Sequence, residues 1–505
     1  MSIGRRSLLA AGATLPLLGR TARAASGRLI YGLSSYPPSF APFANAGSAA
    51  AAAKLMVHRG LLGYAPDGSV RGELAESWSR DPSDGAWVFH LRDAMFHNGR
   101  KVTSADVAWT IEQVAAPSSI AYLRPQMQEI ANIDVPDART VRLHTKVPNA
   151  ALPLLFAGFY LPIVAKGSLA GNPAGIGAGP FVAKSQERGV AIEYAAFDKF
   201  YRPGLPKLGA VRMVAYADEN ARVAALQAGD VDLIEYVPWQ SMSGIEANRK
   251  LRLLNTNGPF MYLTFNGRAK QFADPRVRLA VAHAIKREDI VKAAFFGRAA
   301  PLRGVPIPPG TTFFDPKTAN AWNYDPAKAK ALMTQAGYAG GFACKLLSTS
   351  QYGMHKDTAT VVQQQLATIG IQAELVLPDW PTRVAMGNRG QFEISVMGTA
   401  ADNNDPDGLA NLLAGNLPPS YERSQNIDIP KIDTLLAQGR AEFDPAKRHA
   451  IYDRMQALVV EDAPMVGLCW RSQGYAEKAS VGGFTNMPGA LSFYSPTTLE
   501  QTTIG

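Results

Sequence analysis

An α/β fold is expected from three features of the sequence. Asp274-Pro275 opens a stretch in which Val277, Val281, Ala284 and Ile285 share one helical stripe, with Gly297 placed to close it. Asp325-Pro326 and Asp444-Pro445 repeat the start. Asp at an N-cap followed by Pro in the first turn is a helix-start signal, because the carboxylate accepts from free backbone N–H groups and proline has none to lose. Gly229 and Gly370 stand where helices end, and each feeds a short apolar run, Val231–Tyr236 and Ile371–Leu377. Helices alternating with short apolar strands build α/β layers. The length of 505 residues and apolar content of 47% provide for two or three domains with large cores.

In chain order, the first 24 residues read as an export signal. Arg5-Arg6 precede an apolar run to Leu18, and Thr21-Ala-Arg-Ala24 ends in an Ala-x-Ala cleavage site. Paired arginines before leucines point to the twin-arginine route. The apolar run is about half of the ~20 residues that span a bilayer. No Cys near the site offers a lipid attachment, and no later stretch is long enough to cross a membrane. A periplasmic protein starting near Ala25 is expected. The formal charge of +9 includes Arg5, Arg6, Arg20 and Arg23; taking away those four leaves +5. That bias is too weak for a nucleic-acid binder, and no basic block with interleaved aromatics is present.

Leu29 begins a strand that leads into a Ser/Pro-rich loop, Ser34 to Pro42, where Ser35 and Tyr36 either face a ligand or pack. Ser48 is placed to cap a helix through Ala49–Ala53 toward His58 and Leu62. Tyr64-Ala-Pro-Asp-Gly68 is a hairpin turn. Trp87, Phe89 and Leu91 alternate as in a half-buried strand. Asn98-Gly99 forms a tight turn, and Thr103 with Asp106 makes a capping box. Ile394–Gly398 is a buried strand, followed by Asp402-Asn-Asn-Asp-Pro-Asp407 as a loop at its carboxyl end. In α/β sheets that end meets ligands. Asp402 there either grips a cationic group or belongs to an ordinary Asx/Pro turn. A calcium loop is excluded by Pro406 and by Leu413, which stands at the closing glutamate position.

Catalytic signatures are missing. The seven histidines are scattered without His-Glu-x-x-His spacing, and there is no Gly-x-Ser-x-Gly elbow, Ser-x-x-Lys or phosphate loop. Gly175-Ile-Gly-Ala-Gly179 runs into Pro180, so it reads as a lead-in to a strand rather than a nucleotide turn. Cys344 and Cys469, the only cysteines, are expected as two separate buried thiols, and no metal or cofactor is expected. The chain does not read as an enzyme.

Five ordered motifs carry a resemblance. Glu73-Leu-Ala-Glu-Ser-Trp78, Trp87-Val-Phe-His-Leu-Arg92 and Phe96-His-Asn-Gly99 through Thr103-Ser-Ala-Asp-Val107 form the first. Gly177-Ala-Gly-Pro-Phe181, Ala225-Leu-Gln-Ala-Gly-Asp-Val-Asp232, Phe272-Ala-Asp-Pro-Arg-Val-Arg278 and Gln365-Leu-Ala-Thr-Ile-Gly-Ile371 follow. Together they resemble family 5 of the extracellular solute-binding proteins, the dipeptide, oligopeptide and nickel group serving ABC importers. The resemblance implies an α/β, two-lobed periplasmic binding protein with a hinge of two crossing strands and an extra subdomain in the first lobe. The first lobe is expected over 27–265 plus 475–505, with the subdomain near 56–179, and the second over 266–474. Phe260–Asn266 and Cys469–Tyr475 are the expected crossing strands. The implied function is capture of a peptide or similar amine-bearing solute by a monomer that delivers it to an inner-membrane ABC permease. The alternatives are a non-peptide solute (opine-like conjugate, metal chelate or haem) and, last, a secreted hydrolase.

By the same resemblance Asp402, followed by Asn403-Asn404 and Asp405-Pro406, falls where relatives hold the ligand's α-ammonium, and Trp380 falls at the pocket wall or in the core. Thr399 stands where the dipeptide-binding member has Trp, and Thr349 where it has the carboxylate-binding Arg. Either Arg471 or Arg383 replaces that arginine, or the ligand lacks that carboxylate. The candidate site is completed by Gly398, Asn403, Tyr352 and Trp470, with Ser35 and Tyr36 from the first loop.

Overall fold

Two long strands, Leu251–Phe265 and Met465–Lys478, pair antiparallel along most of their lengths and form the spine of the molecule. The computed structural model describes residues 27–505, so the expected export signal lies outside the described residues. Leu251–Phe265 pairs on its far side with Ile394–Thr399, followed by Phe342–Leu347 and Ile371–Val376. Met465–Lys478 pairs on its far side with Leu233–Ile234, followed by Arg28–Leu33, Ala210–Ala215, Ala191–Ala196 and Phe181–Glu187. With Ala299–Pro301 added beside Met465–Lys478, this is one sheet of 11 strands.

The pairing register of the spine slips between Asn257 and Phe260. Gly258 sits in this bulge, and a Cβ there would lie 2.1 Å from Gly489 C, so only glycine fits. The bulge separates a half that pairs toward Leu233–Ile234 from a half that pairs toward Ile394–Thr399.

Three cores form around this frame. One packs Leu29, Tyr31, Phe181, Met213 and Tyr475. The largest packs Leu263, Val281, Leu366, Val396 and Val459. The third covers a separate four-stranded sheet, Ala75–Arg80, Trp87–Leu91, Thr140–Thr145 and Ile130–Asp137, with Phe89, Leu91 and Phe156 inside. Met487, Leu491 and Tyr494 from the chain's end enter this third core.

Most local signals act as read. Thr103 and Asp106 form a reciprocal capping box on Ser104–Ala115. Asp274, Asp325 and Asp444 accept from the N–H groups of Arg276, Lys328 and Lys447 at 2.8–2.9 Å. Gly229 takes the left-handed conformation (φ +88°) that closes its helix. Cys344 and Cys469 are both free and buried.

Three expectations need correcting. The stripe after Asp274 belongs to two helices, Pro275–Ala284 and Arg287–Phe295, because Ile285 is extended. The Arg287 guanidinium donates to the Ala282 and Ile285 carbonyls (3.1 and 3.2 Å), satisfying the oxygens freed by the break. The strand expected over Val231–Tyr236 shrinks to Leu233–Ile234, because Tyr236 turns away at φ +48°. Gly47, rather than Ser48, occupies the N-cap of Ser48–Val57.

Candidate functional site

Strands from both halves of the sheet end at a common cleft of about 650 Å³. From the Arg28–Leu33 side it receives Ser35, Asn45, Phe159, Tyr160, Tyr236 and Phe493. From the Ile394–Thr399 side it receives Tyr352, His355, Trp380, Gly398, Thr399, Tyr421 and Glu422. The walls are therefore aromatic on both sides. Trp380 stands edge-on to Tyr352 (5.5 Å, 79°) and to Tyr421 (6.0 Å, 90°). Tyr236 lies at 5.9 Å from Tyr352 and stacks on Phe493 at 6.1 Å and 22°. Rings so arranged leave π faces for apolar or cationic ligand parts.

The position of Trp380 follows from local sequence. Asp379 caps its helix by accepting from Thr382 N at 3.0 Å, and Pro381 occupies the first turn. Tyr236 is placed differently. Its left-handed backbone is costly for an aromatic residue, and such strain gathers at functional sites.

Glu422 is the acid of the cleft. It accepts from Asn45 Nδ2 at 2.9 Å across the cleft and from Thr399 Oγ1 at 3.5 Å. Burial raises its pKa despite nearby Arg423 and Arg383. Asp402 lies behind the lining, where Asn411 Nδ2 (2.5 Å) and Tyr122 OH (3.2 Å) donate to it. Burial first, then the Glu422 charge, pushes its carboxyl up to about 7. Neither acid has a salt-bridge partner among the described residues. Asp405 and Asp407 do: Arg448 grips Asp405 with two bonds of 2.7 Å, and Arg440 pairs with Asp407 at 2.9 Å. The acidic loop thus divides into two structural carboxylates and one that stays unpaired.

The expected site residues divide likewise. Ser35, Tyr352, Trp380, Gly398 and Thr399 meet in the cleft. Tyr36 packs edge-on against Phe40 at 5.9 Å instead. Thr349 is buried and donates to the Pro378 carbonyl at 2.8 Å, a loop-fastening bond. Asn403 accepts from Asp405 N at 2.9 Å, and with Trp470 it borders a smaller cavity of about 300 Å³. Arg471 sits beneath the cleft wall, its guanidinium carbon 5.5 Å from the Tyr236 ring centre and 5.8 Å from that of Phe493. Glu422, Tyr236, Tyr160, Tyr421 and Phe493 were not legible as site residues. An unexplained Tyr-Glu pair at Tyr421-Glu422 is the only signal the sequence offered for them. Among the described residues no group of three His, Cys, Asp or Glu is placed to hold a metal. None of their helices is long and apolar enough to cross a membrane.

Comparison with known proteins places this geometry. The model of bacterial extracellular solute-binding proteins, family 5, matches residues 69–419. The structure of the PBP AgaA from A. tumefaciens R10, in complex with agropinic acid, superposes with a TM-score of 0.92 at 40% identity, covering 95% of this chain and 99% of that one. The glutathione-binding protein GsiB of Escherichia coli (strain K12) is 28% identical over 445 residues, 85% of this chain and 86% of its own. The periplasmic binding protein DppA of Helicobacter pylori, in complex with the peptide STSA, shares the fold at a TM-score of 0.85 and 22% identity, over 95% of this chain and 98% of that one.

Proposed function

The chain belongs to family 5 of the bacterial extracellular solute-binding proteins, and from that premise we propose that it is the periplasmic receptor of an ABC importer, enclosing a small polar carboxylic acid of the opine type. The observation that carries the reading is the aromatic cleft that both halves of the sheet wall together, in a chain 40% identical to a protein that holds agropinic acid. The lobes are assigned as 27–265 with 475–505, including a subdomain over 56–179, and 266–474. They turn about the bulge at Gly258. A solute touching both sides stabilises the closed form by its differential affinity, and the permease receives that form. Binding alone does the work, with no covalent step, and the receptor acts as a monomer exported through its first 24 residues.

A second reading is favoured by Glu422 and Asp402, two carboxylates without cationic partners. An ammonium-bearing solute such as glutathione or a short peptide supplies the missing positive charge. Native mass spectrometry of protein taken from the periplasm separates the two. A co-purified mass that leaves on mild unfolding and fragments as an opine supports the first, and peptide fragments support the second. With the solute added, the melting temperature rises and the radius of gyration falls. A radius unchanged at saturation contradicts closure about the hinge.

A further inference from the structure

Seven arginines among the described residues are buried, and six of them have an evident structural use. Arg59 donates to the carbonyls of Leu55 and His58 and pairs with Glu500, and Arg423 donates to the carbonyls of Asn411 and Pro418. Arg222 donates to the carbonyls of Glu235, Tyr216 and Tyr236, Arg278 to those of Asp462, Ala463, Phe272 and Ala273, and Arg287 to Leu302, Gly467, Ala282, Ile285 and Trp322. Arg383 donates to Tyr421 O, Ser395 Oγ and Val396 O. These fixed dipoles replace most of the water each guanidinium lost, with one nitrogen each of Arg59, Arg287 and Arg383 left without a hydrogen-bond partner. Arg471 is different. It is 0% exposed, its only bond is from Nη1 to the sulfur of Met354 at 2.8 Å, and Nε and Nη2 have no partner. No carboxylate among the described residues forms a salt bridge with it.

A buried cation with no counter-charge and only one weak bond, to a sulfur, is costly and persists only where something else repays it. Its surroundings say where that partner enters. Met354, Gly398, Tyr236 and Phe493 all line the cleft and all adjoin the guanidinium. A Cβ on Gly398 would lie 2.6 Å from Met261 sulfur and 3.2 Å from Arg471 Nη1, so the backbone of Gly398, which lines the cleft, packs closely beside the charge. His355, whose Nδ1 is also buried without a partner, adjoins the same spot with its Nε2 3.2 Å from that Cβ position.

We infer that Arg471 is the seat for the solute's carboxylate, reached past Gly398 and completed by His355, and that this seat makes a carboxylic acid the required ligand class. The inference rests on the receptor reading and names the group that decides its specificity. The charge is supplied by the long strand Met465–Lys478, at the base of the cleft.

The test uses two readouts on the whole mature chain. In the first, the thermal stability of the protein stripped of solute is compared with those of Arg471→Met and Arg287→Met. An unpaired seat predicts that R471M melts higher than the parent, while R287M, which strands five carbonyls, melts lower. R471M falling as far as R287M overturns the inference, because Arg471 is then structural. In the second, agropinic acid and glutathione are titrated into both proteins, together with their carboxamides. The parent should lose roughly 100-fold or more in affinity when the carboxylate is amidated, and R471M should bind acid and amide alike. Equal binding of acid and amide by the parent also overturns it. If the parent binds and closes on a solute lacking a carboxylate but ignores every acid, the receptor reading stands and the seat falls. If it binds nothing and co-purifies with nothing, the receptor reading falls, and the stability of R471M still decides whether Arg471 is a strained or a structural cation.

Discussion

Glu73 and Glu500 are buried, as is Glu422 of the cleft, yet the two regions treat their charges in opposite ways. Glu500 receives Arg59 at 2.8 Å and Arg71 at 3.0 Å, and Glu73 receives Arg71 at 3.0 Å and Arg202 at 2.9 Å. Arg202 also bonds Glu500. Burial alone raises the Glu500 pKa, but Arg59, Arg202 and Arg71 together hold it below the ordinary carboxylate range. This network ties the chain's end to the hairpin near Glu73, and every member is paired. At the cleft, Glu422 in the lining, half-buried Asp402 behind it and buried Arg471 beneath the wall have no ion pairs, and the pKa values of both acids are driven upward. Paired burial marks a fastening. Unpaired burial marks a place kept ready for something that comes and goes.

Four substitutions sharpen or break that contrast. The largest effect is expected from Glu500→Gln, which removes the counter-charge of buried Arg59. Breaking a buried pair from one side costs about 3–5 kcal/mol, read as a lower urea midpoint at unchanged slope, with solute affinity intact once folded. Glu422→Gln should do the reverse. Stability holds or rises slightly, while glutathione, through its ammonium group, binds about 10- to 100-fold more weakly by calorimetry. A stability loss equal to that of E500Q would erase the distinction between the regions.

Gly398→Ala comes third. The new Cβ meets Met261 sulfur at 2.6 Å and Arg471 Nη1 at 3.2 Å. Overpacking of this kind costs roughly 1–3 kcal/mol, and affinity for acids should fall more than stability does. The smallest effect is a change of slope. Asp402 has a folded pKa of about 7 against an ordinary 3.8. Between those values the folded protein holds a proton that the unfolded chain releases, so the contribution of Asp402 to stability falls as pH rises from about 4 to 7 and is level above that. Asp402→Asn should flatten this part of the profile of the solute-free protein, measured as melting temperature from pH 4 to pH 8. A parent profile that rises across that window, with D402N rising alongside it, would remove the argument that this carboxyl is unpaired.

Much of the fold was legible because its signals are local. Asp274, Asp325 and Asp444 each satisfy an N–H two or three residues away, and the Thr103–Asp106 box closes on itself. The alternation of Trp87, Phe89 and Leu91 reports one strand against one core. Such bonds form wherever the chain folds into that element, so the sequence alone announces them. Five of the expected residues, Ser35, Tyr352, Trp380, Gly398 and Thr399, line the cleft, since they sit at element ends where α/β sheets meet ligands.

Other features depended on contacts between distant segments. Asp402, Asp405 and Asp407 look alike in the sequence, and only the arrival of Arg440 and Arg448 from elsewhere in the chain separates the two fastened carboxylates from the free one. Tyr236, Phe493 and Glu422 enter the cleft from three remote stretches. Arg287 and Arg471 are both buried arginines, and carbonyls from distant segments meet most of one and none of the other. The sequence by itself determined which residues begin helices, alternate in strands and turn tightly, because those choices are settled by neighbours within one turn or hairpin. Only the tertiary structure decided which charges are paired, because a charge buried in a low-dielectric interior takes its energy from whatever the fold brings within a few ångströms of it.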